Sequence, residues 1–395
     1  MLHKKIVRKI FKCSDKVISR ISLKIGDNSI YKKEDILFPI ISSALYHYTI
    51  EAVSKIGLLQ GKRLPSPDVA LRRLKQKDWK ETVNEFNQIS KHQFFSARGY
   101  LGGRKNFDAS IDENRIMRYC KKTKGKRRQI DRKKLIKGKA KNGTHHAHVT
   151  ISLSIIGVKN GKFMLITLPM TNKKKRVNIV NELIDNAKEI IKMRIVYLDT
   201  GFFIGQIIVS FEDRGIKYII HAPMNKKIKR LLKEFKKTDK SYDVLPIQVG
   251  KIRANTKLVI IDKKKIEGKL KKKEKRYFAY ITNRIIPNEK IAYYYSEKFR
   301  KRWGQETGFR VKDDFLGKTT SLSYNVRIFI IFLAYLLFNI WQSINLKFEK
   351  NKYIKILFHG HIETYVLKEI LLCEYERYHE EKYEYWRDKL KEWKN

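Results

Sequence analysis

An aspartate stands at the end of a short apolar run near the middle of the chain. Residues 195–198, Ile-Val-Tyr-Leu, predict a strand buried on both faces, and Asp199 follows them directly before a Thr-Gly turn. A carboxylate at such a place is costly to desolvate unless a cation or a hydrogen-bond network receives it. We therefore expect Asp199 to meet a cation or a set of hydrogen-bond donors.

Two further acids have comparable surroundings. Apolar and polar residues alternate from Phe107 to Asp112, which is the period of a half-buried strand, and we expect the strand to end at Asp112. Asp108 lies on the same face of that strand, so both aspartates remain candidates, and Asp112 is favoured because it terminates the pattern. Glu306 lies in a helical pattern that resumes at about residue 294, where Glu297 is its rival.

Converging carboxylates predict a particular chemistry. They repel one another unless divalent cations hold them ionised, and Mg²⁺ prefers oxygen ligands. Two such ions can stabilise both the attacking and the departing oxygen of an in-line phosphoryl transfer. This chemistry requires the fold to bring Asp112, Asp199 and Glu306 together.

The order of the predicted elements brings two of these acids together. The strand at 107–112 is followed by a hairpin (149–156 and 162–168), a helix (178–191), the strand ending at Asp199, a helix (202–214) and a strand (217–221). This is the element order of the ribonuclease H-like fold, an α/β fold in which the first and fourth strands are neighbours. Asp112 and Asp199 would then lie side by side at one end of a mixed sheet flanked by helices.

The remaining patterns divide the chain around this core. We predict a helical, basic N-terminal region (1–104), a first part of the core (105–222), a basic, strand-rich insertion (223–290), a second part of the core (291–348) and a helical tail (349–395). Two short helices in the first region, from Val69 to Leu74 and from Lys80 to Ile89, form either a DNA-reading helix-turn-helix or an ordinary helical pair with solvated charges.

Charge indicates the class of partner. The chain has 88 Lys and Arg residues against 40 Asp and Glu, a formal net charge of +48. Such self-repulsion is best explained by a polyanion, and nucleic acid is the first choice. Residues 115–145 combine many lysines and arginines with few apolar residues, which predicts a mobile loop against phosphate.

Cysteines and the longest apolar run indicate the cellular setting. The three cysteines are far apart, which predicts a reducing, cytoplasmic environment and no zinc-finger site. The apolar run from Ile328 to Trp341 has 14 residues, fewer than the roughly 20 needed to span a bilayer. We therefore predict a helix buried in the protein core and no membrane role.

Three blocks resemble the DDE transposases of bacterial and archaeal insertion sequences, over roughly residues 105–345. The first is Ser-Ile-Asp112, followed downstream by Gly-Thr-His-His-Ala-His at 143–148, and the second is Val-Tyr-Leu-Asp-Thr-Gly-Phe-Phe at 196–203. The third, beginning at Phe299, is similar to the family signature Tyr-x2-Arg-x3-Glu-x6-Lys, with Arg302 and Glu306 at the family spacing. This block departs from the signature in two places, since Phe299 replaces the tyrosine and Lys312 falls one residue early.

The resemblance implies an enzyme that cleaves DNA at transposon ends and joins the freed 3′-hydroxyl to target DNA. Asp112, Asp199 and Glu306 would be its catalytic residues and would hold two Mg²⁺ ions, with Mn²⁺ as the substitute. The partner would be double-stranded DNA, bound by a homodimer assembled on it, in the cytoplasm of a prokaryote at the nucleoid. The candidate DNA contacts are Arg302, which would position a phosphate, together with Arg310, Lys312, Arg72, Arg73, Lys121, Arg127 and Arg128.

Two other functions account for the same charge. A non-catalytic nucleic-acid-binding protein, decayed or repurposed from such an element, needs no converging carboxylates. A nuclease on the same fold would cleave without joining strands. Convergence of the three carboxylates favours an enzyme, and strand-transfer products separate a transposase from a nuclease.

Overall fold

The protein is described here by a computed structural model of residues 2–60, 62, 64–103, 105–118, 134–141, 144–158, 161–268, 275–300, 303–359 and 361–377. The chain forms two compact units. The sheet unit comprises Arg104–Lys122 and Lys133–Thr307, and the helical unit comprises mainly Met1–Gly103 and Gly308–Asn395.

Helices and strands are numbered in chain order. The helices are α1 (Leu2–Ile18), α2 (Lys33–Tyr46), α3 (Ile50–Leu59), α4 (Pro67–Gln76), α5 (Trp79–Ala97), α6 (Arg176–Lys188), α7 (Gly205–Asp213), α8 (Lys226–Lys236), α9 (Lys263–Glu267), α10 (Glu289–Arg300), α11 (Trp303–Asp313), α12 (Tyr324–Phe348), α13 (Lys352–Phe358) and α14 (364–377). The strands are β1 (Asn106–Arg118), β2 (Ile136–Lys141), β3 (Thr144–Val158), β4 (Gly161–Met170), β5 (Lys192–Leu198), β6 (Tyr218–His221), β7 (Tyr242–Val249), β8 (Ala254–Asp262) and β9 (Tyr277–Thr282).

The sheet unit has the predicted ribonuclease H-like order. Strand β3 pairs with β4 and β1, β1 continues to β5, and β5 to β6. The β1–β5 and β5–β6 pairs are parallel, whereas the β1–β3 and β3–β4 pairs are antiparallel. The predicted mixed sheet, with its first and fourth strands as neighbours, is confirmed.

Strand β1 is longer and more deeply buried than predicted. It runs on to Arg118 and does not end at Asp112, and residues 107–112 are buried on both faces instead of one. The reason is its central position, because β3 pairs with β1 as far as Arg118. The predicted loop at 115–145 is likewise partly strand, in β1 and β2; residues 119–133 and 142–143 lie outside the described residues.

The strand-rich character of the 223–290 segment is confirmed, and its strands extend the same sheet. Strand β9 pairs antiparallel with β6, and β8 and β7 follow it outward. Helix α10 packs on one face of this extended sheet, where Tyr295 and Phe299 join a buried cluster with Tyr197, Ile219 and Tyr280. The insertion therefore helps to seat the helix that precedes Glu306.

The helical unit is built around α12. Its aromatic side chains contact α5, with the rings of Phe329 and Phe86 5.3 Å apart. This helix has 25 residues and is therefore long enough to cross a membrane. The prediction that its apolar run is too short to span a bilayer was wrong. Burial supports the predicted core helix instead, since 94% of an apolar stretch of 18 residues in this helix is buried inside the protein.

The predicted pair of basic helices corresponds to α4 and α5. Ser66 caps α4 by accepting a hydrogen bond from the backbone N–H of Val69 at 3.4 Å. Helix α5 has 19 residues and buries one face, including Val83, Phe86 and Phe94, in the core of the unit. Helix α5 is therefore part of the core of the helical unit, and both alternatives for the pair stay predictions.

Candidate active site

Asp112 lies on β1, and Asp199 directly follows the neighbouring strand β5. In the parallel β1–β5 pair, Ser110 lies opposite Tyr197 and Ile111 opposite Leu198. The residues that follow Ile111 and Leu198 are the two aspartates. Side chains alternate along strands, and registered neighbours therefore share a face, with strands about 4.8 Å apart. The structure thus brings together two of the three predicted acids.

Local hydrogen bonds orient both carboxyl groups. The Asp112 side chain is 8% exposed, and its Oδ1 accepts a hydrogen bond from the backbone N–H of Glu113 at 2.8 Å. Asp199 begins a short 3₁₀ turn, in which the N–H of Phe202 donates to the Asp199 carbonyl at 2.9 Å. Thr200 Oγ1 lies 3.4 Å from Asp199 Oδ1 and 2.8 Å from His221 Nδ1. These contacts fix both acids at one end of the parallel strands.

Asp108 has a different environment. Its two oxygens accept hydrogen bonds from Nε and Nη2 of Arg194 at 2.7 and 2.6 Å. Asp108 pairs in register with Ile195, four residues before Asp199, which is roughly 13 Å along the strand. The ion pair and the distance both assign Asp108 a structural role and favour Asp112 as the partner of Asp199.

The third predicted acid lies on a helix, as expected. Glu306 belongs to α11, but its side chain and all of Arg302 lie outside the described residues. Helix α10, just before it, ends beside the site: the Phe299 ring is 5.6 Å from the ring of His221, the β6 residue next to Asp199 across the sheet. Helix α11 begins four residues after Phe299.

The rival acid Glu297 is held within an ion-pair network. Its oxygens accept hydrogen bonds from Arg300 Nη1 at 3.0 and 3.1 Å and from Lys263 Nζ at 3.2 Å. Lys263 is itself 4% exposed, and its ammonium lies 5.7 Å from the centre of the Phe278 ring. A carboxylate committed to two cations is poorly suited to bind a third, so this geometry favours Glu306.

The donor set suits a hard divalent cation. Asp112 and Asp199 offer carboxylate oxygens from adjacent strands, the ligand type that Mg²⁺ and Mn²⁺ prefer. Among the side chains that the structure describes, no group of three or more His, Cys, Asp or Glu residues could hold a metal ion. The Glu306 side chain is not among them, so the two aspartates supply the described part of the donor set.

One feature of the site has no sequence signal. Arg176, the first residue of α6, donates from Nη2 to Glu113 Oε2 at 2.5 Å and from Nη1 to the Gly201 carbonyl at 2.9 Å. Its guanidinium carbon lies 5.5 Å from the centre of the Phe202 ring. Because it ends a run of bases, 173–176, its sequence gives no sign that it differs from its neighbours.

The predicted DNA contacts have unequal placements. Arg72 and Arg310 are exposed, whereas Arg73 is partly buried, with Nη1 3.5 Å from Gln76 Oε1. Lys312 is fully buried, paired with Asp313 and 5.1 Å from the centre of the Tyr335 ring, so this placement does not offer it to DNA. Lys121, Arg127 and Arg128 lie outside the described residues.

Helix α8 adds a basic surface that the sequence reasoning did not single out. It begins five residues after β6 ends, at the same end of the parallel strands as Asp199. The helix buries Ile228 and Phe235 and exposes a basic face that we call the α8 face, formed by Lys226, Lys229, Arg230 and Lys233.

Comparisons with known proteins point to one family. Residues 103–337 match the family model described as Transposase DDE domain. Among solved structures, the chain is similar to the piggyBac transposase in a cryo-EM structure of its synaptic complex with hairpin DNA, at 12% sequence identity and a TM-score of 0.53. The alignment covers 98% of this chain and 82% of that chain, and at this identity it shows a shared fold alone. No curated protein matches the sequence.

Proposed function

Because this chain belongs to the Transposase DDE domain family, whose model matches more than half of its length, we propose that it cleaves and joins DNA strands at the ends of a mobile element. Asp112, Asp199 and Glu306 form the proposed catalytic set. The observation that supports the proposal is the β1–β5 register, whose last pair, Ile111 with Leu198, directly precedes the first two acids.

The residues fit a pair of divalent cations, Mg²⁺ or Mn²⁺. Asp112 and Asp199 would hold them from the sheet, and Glu306 from α11. Such ions, when bound, activate a nucleophile and stabilise the charge that develops in phosphoryl transfer. The chain's own part is to orient its acids: the Glu113 N–H fixes the Asp112 carboxylate, and the turn at Thr200 and Phe202 fixes Asp199.

DNA would reach the site across basic surfaces. The α8 face begins at the C-terminal end of the parallel strands, and its cations are suited to binding the phosphates of a DNA backbone. Arg72 and Arg310 are further exposed candidates. Pairing two element ends for joining requires at least two copies of the chain, so we propose a homodimer assembled on double-stranded DNA, in the cytoplasm of a prokaryote.

The test is a cleavage and strand-transfer assay with the element's own end DNA and Mg²⁺ or Mn²⁺. We expect Asp199→Asn to bind DNA with wild-type affinity and to lose cleavage. Asp213→Asn is the matched control, because Asp213 is an exposed aspartate at the end of α7. Cleavage by Asp199→Asn at the wild-type rate would remove Asp199 from the catalytic set.

The wild-type products separate the rival functions. Cleaved ends joined to target DNA support the transposase. Cleavage without joining indicates a nuclease, and tight DNA binding without cleavage indicates a non-catalytic binding protein.

A further inference from the structure

The two aspartates lie just beyond the backbone pairing that aligns their strands. The last described pair of the β1–β5 ladder is Ile111 with Leu198, one residue before Asp112 and Asp199. From there β1 continues along β3, whereas the chain after Leu198 turns into the 3₁₀ turn. Strand pairing therefore sets the register that leads up to the two acids. It ends one residue before them, so other contacts must hold the distance between the two carboxylates.

Arg176 joins the two segments at this point. Its Nη2 donates to Glu113, the residue after Asp112, and its Nη1 donates to the carbonyl of Gly201, two residues after Asp199. The Glu113 side chain is 12% exposed, and its carboxylate also pairs with Arg115. One guanidinium thus bridges the segments immediately following the two catalytic acids.

The bridge contacts the residues that follow the two acids. Alternation along β1 puts the Glu113 side chain on the face opposite Asp112. Glu113 nonetheless contacts Asp112 directly, since its N–H donates to Asp112 Oδ1. A shift of Glu113 or of the 199–202 turn would therefore move one carboxylate relative to the other.

We infer that Arg176 and Glu113 are a positioning pair that sets the separation of the Asp112 and Asp199 carboxylates and thereby the affinity of the site for divalent cations. The inference rests on the proposed function. Two carboxylates on adjacent strands repel each other when no cation is bound. The Arg176 bridge ties together the segments that follow the two acids and so opposes this repulsion before a cation binds.

Direct measurement of Mn²⁺ binding tests this role without relying on catalysis. The full-length protein is titrated with Mn²⁺ in the absence of DNA, and the free ion is followed by electron paramagnetic resonance. Asp199→Asn gives the background from other sites. We expect Arg176→Ala to weaken the Asp199-dependent binding about 10- to 100-fold, as loss of an outer partner of a metal ligand does.

Two further variants distinguish positioning from general stability. Arg176→Lys should fall between wild type and Arg176→Ala, because an ammonium lacks the planar fork that reaches two acceptors at once. Arg214→Ala is the matched control: it removes a guanidinium from the same unit and breaks the Arg214–Asp185 ion pair, at 3.0 Å, and should bind Mn²⁺ as wild type does. Should Arg176→Ala fail to fold, Glu113→Gln serves as the second test. It keeps the size of the side chain that Arg176 contacts, and we expect it to weaken Mn²⁺ binding in the same way.

Each outcome decides the positioning role separately from the proposed function. Wild-type Mn²⁺ affinity in Arg176→Ala, or equal losses in Arg176→Ala and Arg214→Ala, overturns it even if the wild-type protein cleaves DNA. The same holds if wild type binds Mn²⁺ no better than Asp199→Asn. If Arg176→Ala selectively weakens binding but the wild-type protein neither cleaves nor joins DNA, the positioning role stands and the proposed reaction fails.

Discussion

Arg194 holds Asp108 with a two-pronged ion pair, at 2.7 and 2.6 Å, on the same strand that presents Asp112. Asp108 is 3% exposed, and its hydrogen bonds with Arg194 raise the pKa of that arginine. The guanidinium therefore stays charged across the pH range in which the protein is assayed. Two aspartates on one face of β1 therefore have different surroundings. One is committed to an arginine, and the other lies beside Asp199.

This difference predicts opposite consequences for the same substitution. Asp108→Asn should lower the free energy of unfolding by about 1–3 kcal/mol, because it weakens hydrogen bonds to a charged group, while the folded protein still cleaves DNA. Asp112→Asn should leave stability nearly unchanged and abolish cleavage. Denaturant unfolding and the cleavage assay measure the two effects. Loss of cleavage in a fully folded Asp108→Asn protein, with activity kept in Asp112→Asn, would reverse the assignment.

The two glutamates near the end of α10 support a parallel prediction. Glu297→Gln replaces the carboxylate that contacts Lys263 and Arg300 with a neutral amide, so that Lys263, which is 4% exposed, loses this ion pair. We expect a lower melting temperature and retained cleavage. Glu306→Gln should keep the wild-type melting temperature and lose cleavage. If both variants melt like wild type and only Glu297→Gln loses activity, Glu297 and not Glu306 is the third acid.

The strand order and two neighbouring acids could be predicted because their signals are local. Alternation at 107–112 and the apolar run at 195–198 mark strands, and the order of elements then fixes which strands are neighbours. The same alternation could not show where β1 ends, because its continuation depends on pairing with β3. For the same reason the 223–290 strands were predicted without their partner β6. The Arg176–Glu113 contact spans 63 residues and leaves no trace in either segment.

Asp15 predicts a measurable pH dependence of stability in the helical unit. Burial raises its pKa above the ordinary value of 3.8, against the lowering effect of a hydrogen bond from the Tyr375 hydroxyl, 3.4 Å away. The folded state therefore binds this proton more tightly than the unfolded state does. The resulting stabilisation is complete below pH 3.8 and is lost as pH rises through the raised value.

Asp15→Asn removes this titration and keeps an acceptor for Tyr375. We expect the variant to melt at a higher temperature than wild type at pH 7, with the difference shrinking toward zero as pH falls to the ordinary value. Melting curves of both proteins across this range make the comparison. A variant that melts below wild type at pH 7, with the difference shrinking as pH falls, would show that the ionised carboxylate stabilises the unit.

The α8 face predicts how DNA affinity depends on salt. Each cation removed from a DNA phosphate should reduce the slope of log affinity against log salt by about 0.9, because fewer counterions are released on binding. Replacing the exposed Lys229, Arg230 and Lys233 with glutamine should therefore weaken binding and flatten the slope.

The matched control removes the same charge from the opposite end of the parallel strands. Lys188 ends α6, Lys192 begins β5 and Lys217 directly precedes β6, and all three are exposed. Their replacement by glutamine should leave the slope close to that of wild type. Fluorescence anisotropy with a labelled duplex at several salt concentrations gives both slopes. Equal flattening in the two triple variants would show that net charge, and not the α8 face, binds the DNA.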